Sequence, residues 1–213
     1  MWADDRERMV DGQLRRRGIS DERVLDAMAS VPRELFVPER VRDRAYDDAA
    51  LPIGGGQTIS QPFMVARICE ALALRGDERV LDVGTGSGYQ AAVLAELAGE
   101  VHTIERIADL AERARESLEL AGYGRVRVHV GDGSLGLPDE APFGAIAVAA
   151  AAPEVPASLY EQLEPSGRLA VPIGGLGGQE LYLVVRSPEG PAVLRSLPCR
   201  FVPLVGAEGF NGK

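Results

Sequence analysis

The stretch RVLDVGTGSGY, residues Arg79–Tyr89, decides the predicted fold. Its first half is a short apolar run rich in valine and leucine, which indicates a buried strand. The run stops at GTGSG, residues 84–88, and apolar residues then recur at helical spacing from residue 91 to residue 97. In a strand–turn–helix unit of this kind, the glycines admit a close approach of a ligand and the helix N-terminus offers it free N–H groups.

A carboxylate follows at the distance expected for a ribose contact. The next apolar run, residues 101–104, ends on Glu105, about 20 residues past Gly84. A dinucleotide motif would need a small residue where the chain has Tyr89. Glycines at 84, 86 and 88 instead resemble the S-adenosylmethionine site of Rossmann-like methyltransferases. A glycine-rich turn without a ligand is the remaining alternative.

Strand-like and helix-like stretches alternate along the rest of the chain, with strands predicted at residues 126–130, 145–149, 167–173, 181–185, 193–197 and 200–202. This alternation predicts an α/β fold whose mostly parallel sheet carries helices on both faces. The final strands lack a helix between them, which predicts an antiparallel pair at one edge. Because ligands bind outside the carboxyl ends of parallel strands, we expect the Gly84 turn, Glu105 and Asp132 to meet at one rim.

The length of 213 residues is compatible with a single domain, residues 1–213. Its N-terminal part, residues 1–75, reads as helical, and residues 76–213 hold the cofactor-binding sheet and the C-terminal strands. Residues 46–60, YDDAALPIGGGQTIS, are too long and too glycine-rich for a tight turn. We interpret them as a functional acceptor loop, with a flexible linker as the alternative.

Two serines are predicted to cap helices in the N-terminal part. Ser20 precedes a helical pattern with acidic residues in its first turn, which suits an N-cap. Ser60 precedes a second pattern that has Pro62 in its first turn, where proline is well tolerated. The same Ser60 ends the glycine-rich loop, so the loop and the following helix are expected to meet at this hydroxyl.

Composition excludes several classes of function. The net charge of −9 and the pI near 4.9 argue against general nucleic-acid binding. The first residues are charged rather than apolar, and no apolar run reaches the length of about 18 residues that a membrane span needs, so a cytoplasmic protein is expected. Cys69 and Cys199 have no CxxC neighbour and are expected to be free thiols. His102 and His129 lie in strand patterns with no partner at ligand spacing, so no metal site is expected.

Three further stretches carry a family resemblance. ALPIGGGQTISQPFMVA (50–66), VGDGSLGLPDEAPF (130–143) and RFVPLVG (200–206), together with VLDVGTGSGY, resemble the protein-L-isoaspartate O-methyltransferases over almost the whole chain. The resemblance implies a monomeric Rossmann-like enzyme that uses S-adenosylmethionine. Such an enzyme methylates the free carboxyl of L-isoaspartyl and D-aspartyl residues in damaged proteins, and the ester then closes to a succinimide that hydrolyses partly to aspartate.

The resemblance also assigns roles to residues, with Ser60 as the catalytic one. The positions implied to bind the cofactor are Ser60, Pro62, Gly84, Thr85, Gly86, Gly88, Glu105, Arg106, Asp132 and Gly133. Those expected to bind the substrate are Ile53, Gly54, Gln57, Thr58, Ile59, Ser60, Val202, Pro203 and Leu204. The chain departs from the family at Gly144, where an aspartate is usual, which leaves the capping of this strand or the geometry of its loop open. If the missing carboxylate matters, Gly144→Asp should raise stability or activity.

Two other functions remain open on the sequence. An aspartyl O-methyltransferase that modifies one dedicated peptide would use the same residues, although the chain shows no extra segment for recognising such a peptide. A non-catalytic nucleotide-binding module would need the glycine motif alone. The glycine-rich loop argues against that module, because a protein that only binds a nucleotide does not need an acceptor pocket.

Overall fold

The computed structural model describes residues 2–175 and 177–211, so residues 1, 176, 212 and 213 of the predicted domain lie outside it. Nine strands form within the described part. In chain order they are β1 Leu51–Gly54, β2 Gln57–Ile59, β3 Arg79–Val83, β4 Glu100–Glu105, β5 Arg127–Val130, β6 Phe143–Val148, β7 Leu163–Gly175, β8 Gly178–Ser187 and β9 Gly190–Cys199. Strands β1 and β2 make a separate hairpin, and the other seven make one sheet in the order β5-β4-β3-β6-β7-β8-β9.

The central sheet confirms the predicted fold class. Strands β3 to β7 pair in parallel, and β8 and β9 follow as an antiparallel meander at one edge. The predicted strand at residues 200–202 is wrong, since β9 ends at Cys199. The chain instead leaves the sheet there and crosses to the end of β6, where the N–H of Ala151 donates to Val202 and the N–H of Leu204 donates back to Ala151.

Six α-helices flank these strands in the described part: α1 Trp2–Met9, α2 Glu22–Ser30, α3 Pro62–Leu72, α4 Tyr89–Leu97, α5 Ala108–Leu120 and α6 Ala157–Glu161. Both predicted N-caps are wrong. Asp21, not Ser20, caps α2 through a bond from the N–H of Arg23, while Ser20 donates to Glu70. Gln61 occupies the cap position of α3 without a capping bond, and its side-chain amide donates instead to the carbonyl and the carboxylate of Asp48.

The core lies on both faces of the sheet, as the pattern of β3 requires. Val80 belongs to the apolar cluster under the N-terminal helices, whereas Leu81 and Val83 belong to the cluster on the opposite face. Helix α4 is buried along nearly its whole length, since it lies between the sheet and α2. None of the helices in residues 2–175 and 177–211 combines the length and the apolar content that crossing a bilayer takes.

Residues 46–60 contain the β1–β2 hairpin rather than a flexible linker. Leu51, Ile53 and Ile59 are buried on its inner side. The turn that joins the strands runs through Gly54, Gly55 and Gly56, all at positive φ, a backbone conformation that other residues rarely adopt. The three consecutive glycines therefore build the turn between β1 and β2, and β2 leads directly into Ser60.

Gly144 lies at the start of β6, against two glutamates. A Cβ at this position would lie 3.0 Å from the Cβ and Cγ of Glu78 and 3.5 Å from Oε2 of Glu164. The Glu78 carboxylate already accepts from the N–H groups of Arg75 and Gly76. An aspartate here would crowd Glu78 and add a third negative charge, so in this chain the glycine suits its surroundings.

We therefore expect Gly144→Asp to lower the free energy of unfolding by about 1–3 kcal/mol, the usual cost of overpacking. Urea unfolding of this variant beside the parent protein measures the effect. Gly144→Asn has nearly the same shape without the charge, so the difference between the two variants isolates the repulsion. Equal or higher stability of Gly144→Asp would show that the two glutamates move aside at no cost.

Candidate active site

A cavity opens at the carboxyl ends of β3, β4 and β6, where the sequence predicts the ligand rim. The glycine loop after β3 forms one wall, the end of the β1–β2 hairpin a second, and the segment after β9 a third. The predicted site residues that line it are Gln57, Thr58, Ile59, Ser60, Gly84, Thr85, Gly86, Glu105, Arg106, Gly133, Val202, Pro203 and Leu204. The long-range arrangement thus brings together stretches that the sequence places far apart.

Five predicted residues do not line this cavity. Pro62 is buried in the first turn of α3, and Gly88 begins α4, where a Cβ would lie 3.2 Å from Leu118. Ile53 lies behind Gly86 in a neighbouring groove, with its carbonyl accepting from Arg113 at 3.1 Å. Gly54 and Asp132 likewise fall outside the lining. These residues support the walls rather than forming them.

Asp132 holds the third wall in place. One carboxylate oxygen accepts from the N–H and the hydroxyl of Ser134, and the other accepts from the N–H of Ala207 at 2.7 Å. Although burial acts to raise the pKa of this carboxyl, the bonds from Ser134 and Ala207 outweigh it and the pKa is lowered. The ionised side chain therefore fastens the segment after β9 to the end of β5.

Glu105 braces the glycine loop and faces the cavity. Its Oε2 accepts from the N–H of Gly86 at 2.9 Å, and its Oε1 accepts from the N–H of Ile107 at 3.0 Å. Gly84 and Gly86 have φ of +92° and +53°, so the loop can turn this tightly only with glycines. Each carboxylate oxygen keeps a second lone pair, which can accept from a hydroxyl of a ligand in the cavity.

A buried polar network lies beneath the glycine loop. Asp82 is fully buried and accepts from Gln90 at 2.7 Å and from Thr103 at 2.8 Å, and the Thr103 hydroxyl also contacts that of Thr85 at 2.7 Å. Burial raises the pKa of Asp82 to about 7. This residue is not among the predicted site residues. The sequence does carry one sign of it, since an aspartate interrupts the apolar run RVLDV.

The raised pKa gives Asp82 a measurable effect on stability. The folded state binds the proton more tightly than the unfolded state, so the contribution is complete below the unfolded pKa of 3.8 and is lost as pH rises towards about 7. In the parent protein, Asp82 should make the free energy of unfolding fall by an amount on the order of 2 kcal/mol between pH 5 and pH 8. We expect Asp82→Asn to abolish this fall. Urea unfolding across that range gives the difference. The exposed Asp26→Asn variant should keep the slope of the parent, and an unchanged slope in Asp82→Asn would contradict the prediction.

Ser60 presents a free hydroxyl at the other end of the cavity. Among the described residues this hydroxyl has no hydrogen-bond partner, while the Ser60 carbonyl accepts from Nη2 of Arg33 at 2.8 Å. Arg33 is fully buried, donates also to the Ala45 carbonyl, and its guanidinium lies 4.6 Å from the ring centre of Tyr89. Arg33 could not be recognised from the sequence, because an arginine in a charged N-terminal region gives no sign that it is buried.

A second, more open groove adjoins the cavity at Ser60. The two share Thr58, Ser60 and Val202, and the groove continues past Phe63 to Arg200. The guanidinium of Arg17 lies over the Phe63 ring, 3.7 Å from its centre. Ser60 therefore lines both the cavity and the groove.

The two histidines are in contact in the fold, although their spacing along the chain indicates no partner. Nδ1 of His102 lies 3.1 Å from Nε2 of His129, because β4 and β5 pair in parallel and place both rings on the same face. Nε2 of His102 also lies 3.2 Å from Oε1 of Glu100. Burial and the neighbouring His102 lower the pKa of His129. A spacing along the chain could not reveal this pair, since it depends on strand register.

The fold and the cavity define a class I, Rossmann-like methyltransferase that depends on S-adenosylmethionine: a strand, a glycine loop, a helix and an acid at the end of the next strand, in a mostly parallel sheet. The chain belongs to the Protein-L-isoaspartate(D-aspartate) O-methyltransferase (PCMT) family, whose sequence model matches residues 4–209. The predicted family is thereby confirmed.

Individual relatives agree with this assignment. The chain is 55% identical over 210 residues to Protein-L-isoaspartate O-methyltransferase 2 of Marinobacter nauticus, covering 98% of this chain and 96% of that one. It is 53% identical to the Protein-L-isoaspartate O-methyltransferase of a Roseiflexus species, covering 100% and 97%. A solved protein-L-isoaspartate O-methyltransferase superposes with a TM-score of 0.86 at 31% identity, over 96% of this chain and 67% of that chain. A Plasmodium falciparum protein assigned to the same activity, solved with S-adenosyl-L-homocysteine, gives 0.81 at 27% identity over 94% and 98%.

Proposed function

We propose that this protein transfers the methyl group of S-adenosylmethionine to the free carboxyl of L-isoaspartyl and D-aspartyl residues in damaged proteins and peptides. The observation that carries the proposal is the position of Ser60, which lines both the cavity and the adjoining groove. A methyl donor in the cavity and a peptide in the groove would meet at this residue. The methyl ester then closes to a succinimide, which begins the repair.

The residues of the cavity fit the proposed cofactor. Glu105 supplies a carboxylate for ribose hydroxyls, and the turn at Gly84 and Gly86 leaves room for a close approach of the ligand. Ile104 and Leu204 add apolar surface on either side. Gly133 also lines the cavity. A Cβ at this position would lie 2.8 Å from Cγ1 of Val83, so the position is closed to larger residues. Of the predicted cofactor positions, Pro62, Gly88 and Asp132 act indirectly in this proposal.

The proposed reaction needs few protein groups. S-adenosylmethionine, when bound, supplies a methyl group on a positively charged sulfur that leaves as a neutral sulfide. The acceptor carboxyl has an ordinary pKa near 4, so it is already ionised at neutral pH and no general base has to remove a proton. The carboxylate oxygen forms the new bond to the methyl carbon as the carbon–sulfur bond breaks. The chain contributes by holding the reacting atoms close and in line.

Ser60 orients the acceptor in this mechanism. Its hydroxyl is free to donate one hydrogen bond to the carboxylate, and Arg33 fixes the backbone that carries it. Gln57, Thr58 and Ile59 from the hairpin, with Val202 and Pro203 from the opposite wall, are proposed to contact the peptide.

We propose further that one chain is the working unit. The cavity is lined by residues from both the N-terminal and the C-terminal parts of this chain, which supports a single catalytic domain acting as a monomer. The net charge of −9 supports a protein that does not use nucleic acid, and a cytoplasmic site of action fits the damaged proteins proposed as substrates. Light scattering coupled to gel filtration tests the monomer.

A methyl-transfer assay tests the function directly. The protein is given radiolabelled S-adenosylmethionine and an isoaspartyl peptide, beside a twin peptide that differs only in having a normal aspartyl linkage. Incorporation of label into the isoaspartyl peptide alone is the expected result. Equal labelling of both peptides would point to a general carboxyl methyltransferase, and labelling of neither would overturn the proposal.

A further inference from the structure

A cluster of two histidines and a glutamate lies outside the candidate active site. It joins His102 on β4, His129 on β5 and Glu140 in the turn Pro138–Glu140 that precedes β6. One ligand atom from each of the three side chains lies within 4.8 Å of the other two. His102 is fully buried, and it faces away from Thr103 and Glu105 because successive residues of a strand point to opposite faces.

We propose that His102, His129 and Glu140 bind a transition-metal dication of the Zn²⁺ type. Imidazole nitrogen and carboxylate oxygen are the ligands such ions prefer, and two histidines with one carboxylate are an established set for zinc. The nitrogens His102 Nδ1 and His129 Nε2 are 3.1 Å apart. Two nitrogens on one tetrahedral zinc lie about 3.4 Å apart, so the observed separation is close to the one that a shared ion needs.

The surroundings of His102 prepare it for this role. Its Nε2 lies 3.2 Å from the Glu100 carboxylate, and a proton held there leaves a lone pair on Nδ1, the atom that faces His129. A carboxylate behind a ligating histidine is the usual outer partner in metal sites. With its proton on Nε2, His129 can donate to this lone pair, and a bound ion would take the place of that proton, which moves to Nδ1 of the same ring.

The third ligand is also held in place. Arg79 donates from Nη1 to the Glu140 carbonyl at 3.0 Å and pairs through Nε with Glu100 at 2.8 Å. Arg127 pairs with the other oxygen of Glu100 at 2.9 Å. The side chains of Arg79 and Arg127 thus both pair with Glu100, the carboxylate behind His102. Oε2 of Glu140 lies 3.9 Å from Nδ1 of His102, so the carboxylate has to move only a short distance to bind the same ion.

The small number of histidines in the chain makes metal-binding measurements easy to interpret. His102 and His129 are its only two histidines, so imidazole ligation cannot come from elsewhere once any affinity tag is removed. Equilibrium dialysis with Zn²⁺ should give one bound ion per chain and a raised melting temperature. Co²⁺ should give visible ligand-field absorption, which reports coordination rather than stability. Mg²⁺ should not bind, because it prefers sites made of oxygen ligands.

Variants separate this site from other sources of binding. His129→Gln and Glu140→Gln each remove a ligand at a half-buried position and should weaken Zn²⁺ binding by more than about 100-fold. Glu100→Gln should weaken it by about 10–100-fold, the usual effect of losing an outer partner. Cys199→Ser and the exposed Glu112→Gln should leave it unchanged. Absence of stoichiometric Zn²⁺ binding in the parent protein, or equal binding in His129→Gln, would overturn the proposal.

Discussion

Ser60→Ala should lower the turnover of an isoaspartyl peptide by about tenfold to a thousandfold, the scale of losing one orienting hydrogen bond in a site that excludes water. Ser60 lines both the cavity and the groove. Glu105 and the glycine loop are untouched by the change, so the affinity for S-adenosylhomocysteine should fall much less. Steady-state kinetics with the peptide and calorimetry with S-adenosylhomocysteine measure the two quantities separately.

The structure makes Ser60→Ala a cleaner test than the sequence indicates. Because Ser60 does not cap α3 and its hydroxyl bonds to no described residue, the free energy of unfolding should change by less than about 0.5 kcal/mol. Ser30→Ala, which removes a hydroxyl bonded to the Asp26 carbonyl far from the cavity, should keep full activity. A folded Ser60→Ala protein with undiminished methyl transfer would remove the hydroxyl from the mechanism.

Glu105→Ala is expected to weaken the binding of S-adenosylhomocysteine by about 100-fold or more. Bonds from ligand hydroxyls to a charged acceptor are worth roughly 1.5–3 kcal/mol each, and this carboxylate has a free lone pair on both oxygens. The change also removes the acceptors of the Gly86 and Ile107 N–H groups, which loosens the loop. Calorimetry with S-adenosylhomocysteine measures the loss, and NAD should not bind to the parent protein.

A matched variant distinguishes charge from shape at this position. Glu105→Gln keeps one oxygen that can accept from Gly86 or Ile107 but has no charge, so its affinity should lie between the parent and Glu105→Ala. The exposed Glu112→Gln, on the outside of α5, should bind like the parent. If Glu105→Ala binds S-adenosylhomocysteine normally, the carboxylate braces the loop without touching the cofactor, and the proposed ribose contact fails.

Local signals account for the parts of the fold that could be predicted. The strand, glycine turn and helix around Gly84 follow one another along the chain, and each has its own pattern, so their order and the place of Glu105 could be read directly. The antiparallel end of the sheet followed from the absence of a helix. The helix caps could not be assigned from residues 20 and 60, because Asp21 caps a helix as well as Ser20 does and because the start of α3 lies one residue later, at Gln61.

The remaining features depend on contacts between distant residues. The contact of His102 with His129 requires the register of β4 against β5, and the role of Arg33 requires Ser60, Ala45 and Tyr89 to meet around it. Neither arrangement leaves a trace in spacing or composition. The convergence of the hairpin on the segment after β9 was expected only from the family resemblance.

The hydrogen bonds that hold the Asp132 carboxylate have a consequence for the chemical ageing of the chain itself. Asp132 precedes Gly133, and glycine places no side chain in the way of attack by its backbone nitrogen on the aspartyl carboxyl carbon, the ring closure that creates isoaspartate. In the folded protein both carboxylate oxygens are held, one by Ser134 and the other by Ala207. The carboxyl would have to release three hydrogen bonds and gain a proton before the ring could close. The same contacts that build the wall of the cavity therefore protect Asp132 from the kind of damage that the protein is proposed to repair.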